Sequence, residues 1–383
     1  MNESEHTPEN PSFQPNELPP VPSPIEQGNT VEANEVEQAP NEPVAEQPQD
    51  DLAAFRPSEL NAQMDAELTA FSALYQRIVN ETAKVFVGQE ELVVGTLVAL
   101  FSAGHVLIES VPGLGKTLFV RTLGRVLGCD FGRIQFTPDL MPSDITGSPI
   151  YDLKIQEFRF RPGPVFTQLL LADEINRSPA KTHAALLETM QEYSVTIDNQ
   201  THTLPRPFFV LATQNPIESE GTYHLPEAQI DRFMFKLIID YPTAEQEEAI
   251  LKMHGRTIAP SEKLGDITGV TGPEEILRFS ALINGVYVAP QLVNYINTIV
   301  RLTRSFPRLS LGASPRAGIA LMQGARTLAA FRGREFVVPD DIIQLALPTL
   351  RHRVILSAEA EIEGITADQI LVQLVRSVPV PRT

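Results

Sequence analysis

Runs of consecutive apolar residues, each ending in polar or glycine-rich chemistry, set the organisation of the chain. The least polar stretch is Leu92 to Ile108, which carries no charge. It is slightly short for a membrane span of about 20 residues, and Gly95, Gly104 and His105 interrupt it. Broken near Ala103 and Gly104, it predicts a helix to Phe101 followed by a buried strand, His105 to Ile108. Helical periodicity returns over Leu118 to Leu127. Two more apolar runs, Val165 to Ala172 and Phe208 to Thr213, have the length and continuity of buried parallel strands. Between them, Ser194 to Leu204 alternates around Asp198-Asn199 as a hairpin should. From about residue 243 the pattern is helical, with helices expected over Ala244–His254, Glu274–Asn284, Pro290–Arg304, Arg316–Arg332 and Asp340–Leu347. Strands alternating with helices, then helices alone, describe an α/β domain with a parallel sheet followed by a small all-α domain.

The residues at the strand ends carry the chemistry. Strand 105–108 runs into Glu109-Ser110-Val111-Pro112-Gly113-Leu114-Gly115-Lys116-Thr117, and a helix continues from Leu118. Strand, glycine-rich turn, Gly-Lys-Thr and helix is the context a phosphate-binding loop requires. Gly113 and Gly115 let the backbone from Val111 through Pro112 and Leu114 wrap closely, so that its N–H groups face phosphate oxygens. The helix behind it presents a positive N-terminal end. Lys116 reaches the β- and γ-phosphates, and the Thr117 hydroxyl suits Mg²⁺. One position departs from the G-x-x-x-x-G-K-[ST] pattern: Ser110 stands where the first Gly belongs, and it strains there if the backbone needs φ > 0. A chance glycine turn before a helix is the competing reading of the loop taken alone.

Fifty-seven residues beyond Lys116, the second strand delivers Asp173-Glu174. Adjacent acids at the C-terminal end of a buried parallel strand are the Walker B arrangement, with Asp173 holding Mg²⁺ and Glu174 deprotonating the attacking water. Two solvated acids at a helix start are the alternative. The third strand ends at Gln214-Asn215-Pro216, where a polar side chain can hold that water beside Glu174.

Charge and composition narrow the class. The 383 residues carry 30 Lys and Arg against 48 Asp and Glu, a net charge of −18. That balance argues against general affinity for nucleic acid or anionic lipid. Residues 1–51 hold 12 of the acids, ten of the 32 prolines and no Lys or Arg. Such a segment buries too little apolar surface to offset its ordering entropy, so an acidic, disordered tail is expected over residues 1–60. It serves either as a solubilising leader or as a docking tail for a partner. The single Cys129 excludes an intrachain disulfide and a Cys-based zinc site. No signal-peptide pattern opens the chain, and a cytoplasmic location with no membrane insertion is the expectation.

These motifs together resemble the AAA+ ATPases, and closely the MoxR family. The residues that carry the resemblance are Val87-Gly88-Gln89-Glu90, Glu109 to Thr117, Phe136 to Gly147, Phe158 to Pro164, Ala172 to Arg177, Leu186 to Glu192, Ala212 to Glu218 and Pro226 to Phe233. They span about residues 65–380. The resemblance implies an AAA+ P-loop core over 61–242, a helical lid over 243–383, and ATP and Mg²⁺ as cofactors. It implies that Val87 and Gly88 line the adenine pocket, with Val111 to Leu118 around the phosphates. It also implies that Asn215 is sensor 1, that Arg232 in Asp-Arg-Phe is an arginine finger reaching a neighbour's nucleotide, and that Arg316 is sensor 2, acting in cis or in trans. Surface salt bridges are the plainer reading of these arginines. Residues 136–163 match the helix-2 insert and the 194–204 hairpin the one before sensor 1, two elements that face the ring pore in this clade. The resemblance further implies a hexameric ring of identical subunits acting on protein clients, with a von Willebrand factor A-domain protein as the expected partner.

Three other functions compete. A nucleic-acid motor or restriction-type NTPase needs basic DNA-binding modules, and the hairpin tip Asp198-Asn199-Gln200 has no Lys or Arg. A magnesium-chelatase-like subunit shares the general pattern, but Gln214 to Glu218 and Pro315-Arg316-Ala317 look more like MoxR. A silent scaffold sits poorly with Lys116, Asp173, Glu174, Asn215 and Arg232 all present.

Overall fold

The computed structural model describes residues 62–381 except 87, 112, 155, 216–222, 224 and 256–263, so the expected acidic tail lies outside the described residues. These described residues belong to one compact unit. Its centre is a sheet of five strands: β1 (Val106–Ser110), β2 (Phe131–Gln135), β5 (Leu169–Asp173), β8 (Phe209–Gln214) and β9 (Phe235–Ile239). Their order is β2-β5-β8-β1-β9, and every pairing is parallel. Three antiparallel ribbons lie outside it: β3 (Gly147–Asp152) with β4 (Glu157–Pro162), β6 (Ser194–Ile197) with β7 (Gln200–Thr203), and β10 (Leu309–Leu311) with β11 (Ile355–Leu356).

The three apolar runs become β1, β5 and β8 because both faces of the sheet are covered. Val106, Ile108, Leu169, Leu171, Phe209 and Leu211 point into one core, and Leu107, Leu170, Ala172, Val210 and Ala212 into the other. Alternation between two dry faces removes the polar positions that a half-solvated strand would show. The first core continues into the helical part of the chain. Phe71, on helix Ala62–Ala83, packs its ring 4.9 Å from Phe101, 4.6 Å from Phe279 and 5.3 Å from Phe331. The helices that carry Phe279 and Phe331 therefore help cover the sheet rather than standing apart from it.

The uncharged stretch 92–108 divides as its glycines imply. A helix over Glu90–Phe101 ends before β1, and no described helix is long and apolar enough to cross a membrane. The expected strand 165–172 starts later, at Leu169, because residues 164–168 form a turn in which the Thr167 hydroxyl donates to the Asp130 carbonyl at 2.9 Å. Helices of the C-terminal part run Ala244–His254, Pro273–Ile283, Pro290–Leu302, Pro315–Phe331 and Pro339–Leu350. Three of the expected starts fell one residue late, after Pro273, Pro315 and Pro339, since Pro is well suited to the first helical position. The 194–204 hairpin turns through Asp198 and Asn199 with φ of 50° and 61°, a type I′ geometry that Asp and Asn tolerate. Ser110 is the last residue of β1, paired with Ile239 and not among the positive-φ positions, so a side chain is tolerated there without strain.

A buried histidine ties β1 to its surroundings. His105 Nδ1 accepts the Val210 N–H at 3.1 Å, so Nε2 carries the proton and donates to the Met190 carbonyl at 3.2 Å. Burial pushes its pKa from an ordinary 6.5 down to about 4. His352, half-buried, is shifted in the same direction. A depressed histidine gives stability that is complete above the unfolded-state pKa and is lost as pH falls toward the folded one. His105 alone should therefore remove about 3 kcal/mol between pH 7 and 4, at up to about 1.4 kcal/mol per pH unit. Denaturant unfolding followed across that range should show a steep acid limb, and His105→Asn, which keeps an acceptor for Val210, should be less stable at pH 7 but fall off less steeply with acid. An unchanged slope would assign the acid sensitivity to other groups.

Candidate active site

All strands of a parallel sheet end at one edge, and ligands of open α/β sheets bind there. At this edge β1 releases the glycine loop, β5 ends in Asp173 and turns at Glu174, β8 ends in Thr213-Gln214 before Asn215, and β2 contributes Arg133 and Gln135. Gly113 and Gly115 have φ of 86° and 75°, in the left-handed region. A Cβ on Gly113 would meet nothing within 4 Å, so conformation and not crowding calls for glycine. Gly115 caps helix Lys116–Leu127 without any side-chain bond to its first N–H groups, which leaves these donors to an anion. Val111, Leu114, Thr117 and Leu118 are half-buried around the loop. Val87 and Pro112 lie outside the described residues. Gly88, with φ of 81°, sits against helix Ala244–His254, where an added Cβ would come within 2.9 Å of Gln246 Cδ.

Lys116 is half-buried, and desolvation lowers its pKa while Asp173 and then Glu174 partly offset that effect. The ammonium and both carboxylates thus share one electrostatic environment. Asp173 Oδ1 accepts the Thr213 hydroxyl at 2.6 Å, and its Oδ2 pairs with Arg133 Nη2 at 2.7 Å. Glu174 occupies the left-handed region at φ 56°, a conformation costly for a residue with a Cβ. Its N–H donates to Thr213 Oγ1 at 2.9 Å, so one hydroxyl holds both members of the acidic pair. Glu174 Oε2 accepts from Gln135 Nε2 at 2.8 Å and pairs with Arg177 Nε at 3.1 Å. Gln135 Oε1 in turn accepts from Arg133 at 2.7 Å.

The remaining candidates are placed less directly. Asn215 is buried one residue past β8. Arg232 is half-buried and donates to the Leu187 carbonyl at 2.9 Å. Arg316 is exposed in the first turn of helix Pro315–Phe331, its N–H bonded to Ser314 Oγ at 3.2 Å. Sequence reasoning missed Arg133, Gln135 and Thr213, together with Glu109, whose carboxylate joins the strand ends by accepting from Gln214 at 2.6 Å and Lys236 at 2.7 Å. The signal that could have found Thr213 is its position as the last residue before the polar Gln-Asn step. Thr213→Val keeps the shape and leaves the Asp173 oxygen and the Glu174 N–H without that partner, a cost of about 1–3 kcal/mol. It should lower both melting temperature and ATP turnover, whereas Thr213→Ser should restore both; equal behaviour of the two variants would remove the hydroxyl from the site.

Residues 105–235 match the ATPase family associated with various cellular activities (AAA), and residues 301–374 match the AAA lid domain. The chain is 46% identical to "Uncharacterized protein YeaC" of Bacillus subtilis, over 80% of this chain and 95% of that one. It is 44% identical to "Chaperone MoxR1" of Mycobacterium tuberculosis, over 80% and 82% of the two chains. A crystal structure of a candidate ATPase from Cytophaga hutchinsonii superposes with a TM-score of 0.77 at 41% identity, covering 84% of this chain and 98% of that one. With the glycine loop, the acidic pair and the lid all in place, the chain belongs to the MoxR family of AAA+ ATPases.

Proposed function

We propose that the protein is a Mg²⁺-dependent ATPase that works as a ring of identical subunits, six in the nucleotide-bound state, and remodels protein clients. The observation that supports this best is the convergence of Lys116 with Asp173 and Glu174 beside a glycine loop whose helix lacks a side-chain cap. Lys116 and the loop N–H groups bind the β- and γ-phosphates. Thr117 and Asp173 suit a hard cation, one supplying a hydroxyl and the other a carboxylate 8% exposed at the strand end. A Mg²⁺ ion held by these two residues would offset the charge of the phosphates. Glu174 is the base for the attacking water, which Asn215 orients. Its contacts with Gln135 and Arg177 hold the carboxylate in place. Arg232 serves a neighbour's nucleotide, and Arg316 reads the nucleotide from the lid.

The client reading draws on two ribbons. Ile150, Tyr151, Leu153 and Phe158 of the β3–β4 hairpin are exposed, and Phe160 stacks on His202 of β7 at 4.0 Å, so the two hairpins touch. Exposed apolar and aromatic side chains on one ribbon, beside the acidic-polar tip of the other, suit a protein segment. The relative named as a chaperone favours the same choice, and a von Willebrand factor A-domain protein is the partner we infer. We place the ring in the cytoplasm, with the acidic residues 1–60 as a solubilising leader.

Glu174→Gln should bind ATP but lose roughly 10²–10⁴ in turnover, the range for removing a general base. Near-normal steady-state hydrolysis would take Glu174 out of that role. The same variant held in ATP should retain clients, identifiable by mass spectrometry. Deleting residues 1–51 should leave basal hydrolysis and assembly intact by turnover and light-scattering measurements. Loss of client stimulation alone would make the tail a docking element, and loss of basal hydrolysis would make it part of the ATPase.

A further inference from the structure

The segment carrying Arg232 is gripped from the lid by one buried side chain. Arg353 follows helix Pro339–Leu350 and has a side chain only 3% exposed. Its Nε donates to Asp231 Oδ1 at 2.8 Å. Its Nη1 donates to the carbonyls of Met234 at 3.0 Å and Thr349 at 2.5 Å, and its Nη2 to those of Asp231 at 3.1 Å and Phe233 at 2.7 Å. The neighbouring His352 adds Nε2 to the Phe233 carbonyl at 3.0 Å. The carbonyls of the residues on either side of Arg232, Asp231 and Phe233, are therefore held by the lid. The Asp231 carboxylate also accepts the Ser314 hydroxyl at 3.0 Å, and Ser314 caps the helix whose first turn holds Arg316.

We propose that Arg353 is a positioning residue for Arg232, fixing through Asp231 where that arginine reaches into the neighbouring subunit's site, and that Ser314 links the same carboxylate to Arg316. The inference rests on the reading of Arg232 as a residue acting in trans. A planar guanidinium is required because a carboxylate, three carbonyls of the 231–234 segment and one of its own helix are met by a fixed fork of donors. The three donors of a lysine on a flexible stem do not span them. The arrangement joins the two nucleotide-reading arginines into one rigid junction, so lid movement on nucleotide binding carries Arg232 with it.

The test uses full-length chain and subunit mixing. Arg353→Lys should bind ATP with nearly unchanged affinity by calorimetry and lose roughly ten- to a hundredfold in kcat, the scale of a small misplacement of a reacting group. Mixed with Glu174→Gln subunits it should regain activity, because it keeps its own Glu174 and receives a well-placed Arg232 from its neighbour. A merely structural role would damage the variant's own site, and no neighbour would repair it. Arg232→Ala mixed with Glu174→Gln runs in parallel. If that pair fails to regain activity in mixed rings, the trans reading of Arg232 falls and the present inference with it. If that pair recovers and the Arg353→Lys pair does not, or if Arg353→Lys hydrolyses ATP like the wild type, the positioning role alone is wrong. Should Arg353→Lys fail to fold, Ser314→Ala reads the same junction with Arg353 intact: a lowered kcat at unchanged KM, recovered on mixing, supports the coupling, and an unchanged kcat overturns it.

Discussion

The site depends on the parallel register of β5, β8 and β1. Pairing Ala172 with Ala212 and Glu109 with Gln214 brings the ends of three strands side by side at one edge of the sheet. A slip of one residue would exchange the two dry faces and place every buried side chain on the wrong side, so burial enforces the register. That register lets the Thr213 hydroxyl reach Asp173 and the Glu174 N–H together, and it sets the glycine loop beside them. The chemistry of the acidic pair is thus a consequence of how the hydrophobic faces pack.

A second constraint joins the lid to this edge. The aromatic cluster around Phe71 makes the helical part share a core with the sheet, and Arg353 extends that union to the Asp231-Arg232-Phe233 segment. Burial of a guanidinium is tolerated because its donors all find partners, one of them a carboxylate. The aromatic contacts are broad and nondirectional, whereas the arginine fork is directional. The first holds the two parts together, and the second sets their alignment.

Much of this was legible in the sequence, for identifiable reasons. Apolar runs with no polar positions mark doubly covered strands, and Lys116 and Asp173 stand out because their neighbours impose strand, turn and helix. Helix Ala62–Ala83 was not read from the sequence, although Leu68, Phe71, Tyr75 and Ile78 follow its period. The partners of the acidic pair were not legible, because Arg133, Gln135 and Thr213 are about forty residues away and only the order β2-β5-β8 brings them in. The tolerance of Ser110 likewise depended on a backbone angle, and Arg353 meets Asp231 across 122 positions.

If the glycine loop and the acidic pair form one nucleotide site, Lys116 is the charge that the bound phosphates need most. ATP affinity measured by calorimetry, with Mg²⁺ present, on the wild type and on Lys116→Ala is the direct comparison. Losing a charge-assisted contact of about 1.5–3 kcal/mol should weaken binding roughly ten- to a hundredfold. Unchanged ATP affinity in Lys116→Ala would contradict the assignment of this strand edge as the nucleotide site.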